Sequence, residues 1–294
     1  MRTRFLTFAL LLVILAASLG VSNTTAFGPY QQKPIEWAYD PGMVVPEFQG
    51  LTEGLIAYWA MWEGGEAPRD ISGQANHAGL SGATTEPIWI QDTEGLTLDF
   101  DGLNDTLLVS ASQALIDLPT TYNFTILIRH KSNDLGTINA LFSWSGSDDL
   151  VIYPNDPLDA TGGYRVFWRD VGGSLITEAG PDLTGEWHTL AFVSRAADDH
   201  ELFRDGVSIG TSVATGAAGP FSSVHIGSFD TGSQFFEGNI AAIKIYARAL
   251  SDSEIEQDAA YPYGASTPDY LRNPEFIPSA VAAPVTQNAY VYWW

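Results

Sequence analysis

The sequence predicts an all-β fold: two antiparallel sheets packed face to face as a sandwich, with one short C-terminal helix. Three observations carry this. Between residues 51 and 261 the apolar residues fall in short runs rich in Val, Ile, Phe and Tyr, bounded by Gly, Asp, Asn and Ser, which is the pattern of strands and turns. Helical periodicity is almost missing until residue 251, which excludes a doubly wound α/β arrangement. The chain also holds 28 Gly and 16 Pro in 294 residues, enough to punctuate many strands.

The elements follow in order. "GLIAYWAM", starting at Gly54, is the first strand. "LTLDFDG" alternates Leu96, Leu98 and Phe100 with Thr97, Asp99 and Asp101, as a half-buried strand does. "FTILIRHK" places Phe124, Ile126 and Ile128 on one face, and "ALFSW", "DLVIY" and "YRVFWRD" continue the series. "EWHTLAFVS" is apolar on both faces, so it belongs in the middle of a sheet. In "ELFRDGVSIG" the pair Asp205-Gly206 supplies the positive φ angles of a type I′ hairpin turn. "VHIGSF" then leads to the last strand.

That last segment, "FFEGNIAAIKIYARALSDSEI", is the most specific. Ile243, Ile245 and Ala247 alternate with Lys244, Tyr246 and Arg248, giving one buried and one wet face. Ile240 is off this period, so a bulge is expected near Ala241-Ala242. Ser251 caps a helix, Glu254 reaches back to it, and Leu250 and Ile255 form a hydrophobic staple. Pro262 stops the helix, which is expected to plug one edge or end of the sandwich.

The two ends differ from the middle. Arg2 and Arg4 precede the apolar run Phe5–Leu19, and "TTAFG" offers a cleavage site after Ala26. Residues 1–26 therefore read as a secretory signal, with an uncleaved anchor as the alternative. The run is short for a membrane span. Residues 27–50 form a Pro-rich arm or linker, and residues 262–294 a Pro-rich tail with an aromatic end. With 13 basic against 35 acidic residues the net charge is −22, which disfavours nucleic acid and anionic lipid as partners. Cysteine is absent, which excludes disulfides, thiolate nucleophiles and cysteine zinc sites.

Several stretches resemble one family in their order along the chain. The segment with Phe236, Gly238, Ile240, Ile243, Ile245, Tyr246, Ala249, Leu250, Ser251, Glu254 and Ile255 looks like the C-terminal signature of LamG-like domains in the concanavalin A-like lectin/glucanase superfamily. "GLIAYWAMWEGG", with Tyr58, Trp59 and Glu63, resembles the opening strand of that family. "RDISGQANHAGL", with Asp70, Ser72, Gly73, Asn76 and Gly79, resembles its Asp-x-Ser-Gly loop, and "LDFDGLNDTLLV" its phenylalanine-aspartate-glycine turn. The resemblance covers residues 51–261 and implies a jelly roll of two curved sheets, used outside the cell for carbohydrate or protein binding. The same fold hosts glycosidases and structural domains, so fold alone does not decide function.

Glycosidases need two carboxylates at a fixed separation, and relatives place them as Glu-x-Asp-x-x-Glu, a pattern missing here. Asp99 and Asp101 share a strand face, but Asp101-Gly102 matches the family's turn. The five histidines are scattered, and the chain has no HExxH, GxSxG or phosphate-loop motif. The protein is therefore expected not to be an enzyme. Ca²⁺ is the one cofactor to consider, at Asp70 and Asn76, against a metal-free turn; relatives often carry an acidic pair where this chain has Ala241-Ala242.

For sugar stacking, "GGYRVFWRD" sets Tyr164, Val166 and Trp168 on one face and Arg165, Phe167 and Arg169 on the other. If Trp168 faces solvent, then Tyr153, Tyr164, Trp168 and Arg169 are the candidate ligand residues; otherwise Trp168 is core. Trp59, Trp62 and Trp187 lie in signature strands and read as packing residues. Tyr290, Tyr292, Trp293 and Trp294 form an aromatic tail that packs on its own domain, adds to a neighbour's sheet or docks into a partner.

The expected function is a secreted or surface-displayed, non-enzymatic binding module for glycan or glycoprotein. The alternatives are a structural subunit of an extracellular assembly or virion, joined through its terminal arms and tail, and a glycoside hydrolase with an unrecognised site.

Overall fold

The computed structural model describes residues 51–61, 67–80, 86–133, 139–146, 149–154, 163–168, 173–177, 184–215, 221–229 and 233–263. They form two antiparallel sheets and two short helices, a jelly-roll sandwich. The 8-stranded sheet contains β1 (Leu55–Ala60), β3 (Ile88–Asp92), β4 (Gly95–Asp101), β6 (Phe124–Ser132), β11 (Trp187–Ala196), β12 (Asp199–Arg204), β13 (Val207–Ser212) and β15 (Glu237–Tyr246). The 7-stranded sheet contains β2 (Ala78–Leu80), β5 (Leu107–Val109), β7 (Phe142–Gly146), β8 (Leu150–Tyr153), β9 (Arg165–Trp168), β10 (Gly173–Thr177) and β14 (Phe221–Ile226). Helix α1 (Gln113–Asp117) runs into a 3-10 turn, Leu118–Thr121, and α2 (Asp252–Ala260) follows β15.

Alternation builds the core. Phe124, Ile126 and Ile128 of β6, Leu190 and Phe192 of β11, and Ile240, Ile243 and Ile245 of β15 point inward from the larger sheet. Phe142 and Trp144 of β7, Leu150 and Ile152 of β8, and Val166 and Trp168 of β9 answer from the smaller one. Phe124 is the hinge of this packing, with ring centroids 5.6 Å from Trp144, 6.2 Å from Trp168 and 5.8 Å from Phe192. Such edge contacts each add about 0.5–1.5 kcal/mol beyond burial.

The expected local devices are present. Asp205 and Gly206 have φ of 50° and 82° between β12 and β13. β11 lies between β12 and β6, as its two apolar faces require. The register of β15 against β6 shifts between Ile240 and Ala242, the bulge anticipated at that point. This lets one flank of β15 pair first with β4 and then with β1. Ser251 and Glu254 form a reciprocal capping box at α2, and Arg248 grips the Glu254 carboxylate at 2.7 and 2.9 Å. That guanidinium holds the Glu254 carboxyl below its ordinary range.

The wet face expected for β15 is corrected by the structure. Lys244 and Tyr246 are buried, because α2 lies across the outer face of the larger sheet rather than plugging an edge or end. The reason is the neighbouring strands. Leu127, Ala191, Val193 and Phe203 also present apolar side chains on that outer face, and Leu250, Ile255 and Tyr246 close over them. Beyond the helix the same face is polar. Asp92 and Glu94, at the β3–β4 turn, pair with Lys131 and Arg129 of β6, and both cations lie over the Trp187 ring at 5.3 and 5.8 Å.

Gly238 shows why one residue type is required. Its φ is 146°, and a Cβ there would lie 2.2 Å from the Lys131 carbonyl oxygen and 2.8 Å from the Phe236 ring. Gly238→Ala is therefore expected to destabilise the domain by more than about 2 kcal/mol. A urea midpoint within error of wild type would show that β15 shifts freely against β6.

Candidate functional site

The candidate site is the outer face of the 7-stranded sheet, and strand alternation builds it. With Val166 and Trp168 turned into the core, Arg165 and Phe167 must point out. Tyr153 and Val151 on β8 stand beside them, since Tyr153 pairs with Arg165 and Val151 with Phe167. The row continues through Ser143 on β7 to His225 on β14 and Leu108 on β5. Ser223 and Ser145 form the adjacent pair.

Its floor is covered and its rim partly open: Val151, Ser143 and His225 are buried, whereas Arg165, Phe167, Ser223 and Gln234 are half-buried. The Arg165 guanidinium lies 5.6 Å from the Tyr153 ring centre and 5.3 Å from that of Phe167. Tyr153 donates its hydroxyl to Gln234 Oε1 at 2.9 Å. The Ser143 hydroxyl donates to the Ser228 carbonyl at 3.0 Å, and His225 Nε2 lies 2.9 Å from the Ser223 hydroxyl. A guanidinium fork, an aromatic wall and a set of hydroxyls thus share one face. None of the seven strands contributes Asp, Glu or Lys; Arg165 is their one formal charge. The strands of the other sheet, by contrast, carry Asp92, Asp99, Asp101, Asp199, Glu201 and Glu237.

The sequence-based candidates divide. Tyr164 and Trp168 are each 1% exposed, so the condition for a stacking platform on their side of β9 is not met. Trp168 packs on Phe124, Tyr122 and His200, and the Tyr164 hydroxyl lies 3.2 Å from His130 Nε2. Tyr153 does lie at the outer face, although largely covered, and Arg169 is outside the described residues. Arg165 and Phe167 were missed as candidates. The signal was available: of the two faces of "YRVFWR", only the one without guanidinium groups can be buried cheaply.

The Asp70 loop is built from N–H donors. Asp70 Oδ1 accepts from the Tyr58 and Ser72 amides at 2.9 and 2.8 Å, and Oδ2 from the Asn76 amide at 2.9 Å. Asn76 Oδ1 accepts from the Ser112 amide at 2.6 Å, while its Nδ2 donates to the Ile56 carbonyl at 2.8 Å. These oxygens face amides, and Asp70 and Asn76 do not fit a Ca²⁺ cage in this arrangement. Among the described residues no group of three or more His, Asp or Glu side chains is placed to hold a metal ion. The same melting midpoint is expected in excess Ca²⁺ and in chelator, and a rise with Ca²⁺ would overturn this.

Asp99 and Asp101 are also engaged. Asp99 accepts from Asn239 Nδ2 at 2.7 Å, and Asp101 Oδ1 from the Leu103 amide at 2.8 Å, organising the turn at Gly102. Residues 1–50 and the aromatic tail, with Tyr290, Tyr292, Trp293 and Trp294, are outside the described residues. No described helix is long and apolar enough to cross a membrane.

Fold and face together define a concanavalin A-like sandwich. Residues 101–256 match the Laminin_G_3 family model of the concanavalin A-like lectin/glucanases superfamily, and the chain belongs to that family. No curated protein matches the chain. Among solved structures, the fold is similar to domain 4 of AbnA, a GH43 extracellular arabinanase from Geobacillus stearothermophilus, in complex with arabinotriose. That match has a TM-score of 0.56 at 16% identity and covers 70% of this chain and 98% of that one. Trypanosoma rangeli sialidase bound to the inhibitor DANA matches with a TM-score of 0.55 at 17% identity, over 72% of this chain and 34% of the sialidase. The binding domain of Paraclostridial Mosquitocidal Protein 1 matches with a TM-score of 0.54 at 17% identity, over 72% of this chain and 53% of that one. The chain thus spans about a third of the sialidase's length. At these identities the likeness shows the fold alone.

Proposed function

We propose that the protein is a non-enzymatic glycan-binding module that acts outside the cell, with its ligand laid on the outer face of the 7-stranded sheet. One observation carries this reading: in a chain of net charge −22, the seven strands of one sheet hold no acidic residue, and the half-buried Arg165, Phe167 and Ser223 form the partly open rim of its outer face. Sugars are bound by such faces, where rings stack on C–H surfaces and hydroxyl groups find donors and acceptors. The similar domain 4 of AbnA is described with an arabinotriose ligand, which supports the class of ligand. The basic start and the apolar run Phe5–Leu19 support export. The absence of Asp and Glu from these strands supports binding without hydrolysis.

The test is a glycan array with the full chain, alongside Phe167→Ala and Trp168→Ala. Phe167→Ala is expected to lose about 1–2 kcal/mol of stability, since the ring is half-buried against Val151 and Tyr153, and to lose glycan affinity by about tenfold while staying folded. Trp168→Ala is expected to lose more stability, about 3–5 kcal/mol. A Phe167→Ala protein that binds like wild type would refute the assignment of this face.

A further inference from the structure

We infer that Asn123 is an N-glycosylation site, modified before the domain folds. This role requires export, which the basic start and the apolar run Phe5–Leu19 support, and nothing of the glycan-binding face. Three stretches fit the acceptor pattern Asn-x-Ser/Thr with x other than proline: Asn23-Thr24-Thr25, Asn104-Asp105-Thr106 and Asn123-Phe124-Thr125. The first falls within residues 1–26, which read as the signal itself. Asn104 is half-buried in the turn at Gly102, with its amide N–H 3.3 Å from Asp101 Oδ1 and the buried Asp105 next in sequence. Asn123 is exposed, in the link between the 3-10 turn and β6.

The Asn123 carboxamide is held at one atom and free at the other. Oδ1 accepts from the Ala249 amide at 2.8 Å, while Nδ2 makes no hydrogen bond to a described residue. An N-glycosidic bond replaces one of the two Nδ2 hydrogens and leaves Oδ1 an acceptor, so the Ala249 contact survives modification. In the transfer, Nδ2 bonds to the anomeric carbon of an oligosaccharide activated as its lipid diphosphate. The bond from that carbon to the phosphate oxygen breaks, its electron pair leaves with the diphosphate, and Nδ2 releases one proton; nothing is oxidised or reduced. The order of events follows from burial. Phe124 and Thr125 are both 0% exposed. Thr125 Oγ1 donates to the Arg248 carbonyl at 3.0 Å and accepts from the Leu250 amide at 2.9 Å, partners 123 and 125 positions later in the chain. Folding therefore seals two of the three motif residues. A transferase that reads Asn-x-Thr meets them only in a chain not yet folded, which is how export delivers it.

The full chain is produced in cultured insect cells, whose secretory route carries the transferase, and is recovered from the medium. Release by peptide N-glycosidase converts a modified asparagine to aspartate, so peptide mass assigns each site. Asn123 is expected to carry glycan in most of the secreted chains. Thr125→Ser, which keeps the hydroxyl, is expected to retain that glycan, and Asn123→Gln to lose it. Secreted wild type with Asn123 unmodified, or modified at Asn104 alone, would overturn the assignment. A chain retained inside the cell would overturn export, and this inference with it, while leaving the glycan-binding face untouched. Timing is tested on folded, unglycosylated full chain from a bacterial host. It is incubated with lipid-linked oligosaccharide and solubilised transferase shown to be active on an acceptor peptide. The folded chain is expected to stay unmodified at Asn123. Modification to the extent seen in the secreted protein would overturn the requirement for an unfolded acceptor.

Discussion

Lys244→Met is expected to lower the stability of the domain by about 3–5 kcal/mol, although lysine-to-methionine on an exposed strand face costs little. Lys244 leaves the outer face of β15 beneath α2 and forms an ion pair with Asp258, in the last turn of the helix; their side chains are 2% and 3% exposed. The ammonium also lies 5.2 Å from the centre of the Tyr58 ring. Burial pushes the Asp258 carboxyl up, and Lys244 opposes that push. With Lys244 removed, a buried carboxylate is left without its counter-charge. The folded state then gains by taking up a proton that the unfolded chain releases at lower pH. The deficit should therefore shrink as pH falls through the raised Asp258 value toward the ordinary aspartate range. The double variant Lys244→Met/Asp258→Leu removes both charges and should recover to within about 1 kcal/mol of wild type. Urea unfolding of the four proteins forms the cycle. A loss below about 1 kcal/mol for Lys244→Met alone would mean that α2 lifts from the sheet and lets water reach the pair.

Acid should weaken the protein well above the carboxylate range, through His130. This side chain sits between the sheets, with Nε2 3.2 Å from the Tyr164 hydroxyl and Nδ1 3.5 Å from the Ile128 carbonyl. Burial lowers its pKa to about 3, helped by nearby His188 and Arg129 and opposed by the Ile128 carbonyl and Asp205. The folded state therefore excludes a proton that the unfolded chain binds below about pH 6.5. This contribution is complete above that pH and is lost as pH falls, at about 1.4 kcal/mol per unit, until the folded value is reached. Between about pH 6.5 and pH 4.5 the wild type should lose about 2 kcal/mol by this route. His200, lowered chiefly by burial, acts in the same direction. His130→Gln should flatten the profile of urea midpoint against pH over this interval. An unchanged slope in that variant would show that His130 reaches water or a charge partner in the folded state.

Both effects arise where strand-local reasoning stops. Along β15 the alternation of Ile243 and Ile245 with Lys244 and Tyr246 is real, and the inward face was legible from it. What covers the other face depends on Leu127, Ala191, Val193 and Phe203, which come from strands far away in sequence. No single strand shows that these four lie side by side and need a lid. The two sides of β9 raise a related question. Alternation in "YRVFWR" separates the two faces but leaves the choice between them open, because large rings suit both cores and sugar platforms. The guanidinium groups on the opposite side were the better guide.

The amino-acid sequence by itself determined most of the strands, though not β2, β3 and β10, together with the Asp205-Gly206 hairpin, the bulge after Ile240 and the capping box at Ser251 and Glu254. Each of these depends on residues within a few positions, where backbone sterics and short hydrogen bonds act. Tertiary structure alone decided that α2 roofs a sheet, that Lys244 and Asp258 meet in the dark, and that one sheet is stripped of acids across all seven strands. Those features are sums over strands brought together by pairing, and pairing is a long-range outcome of burying apolar faces.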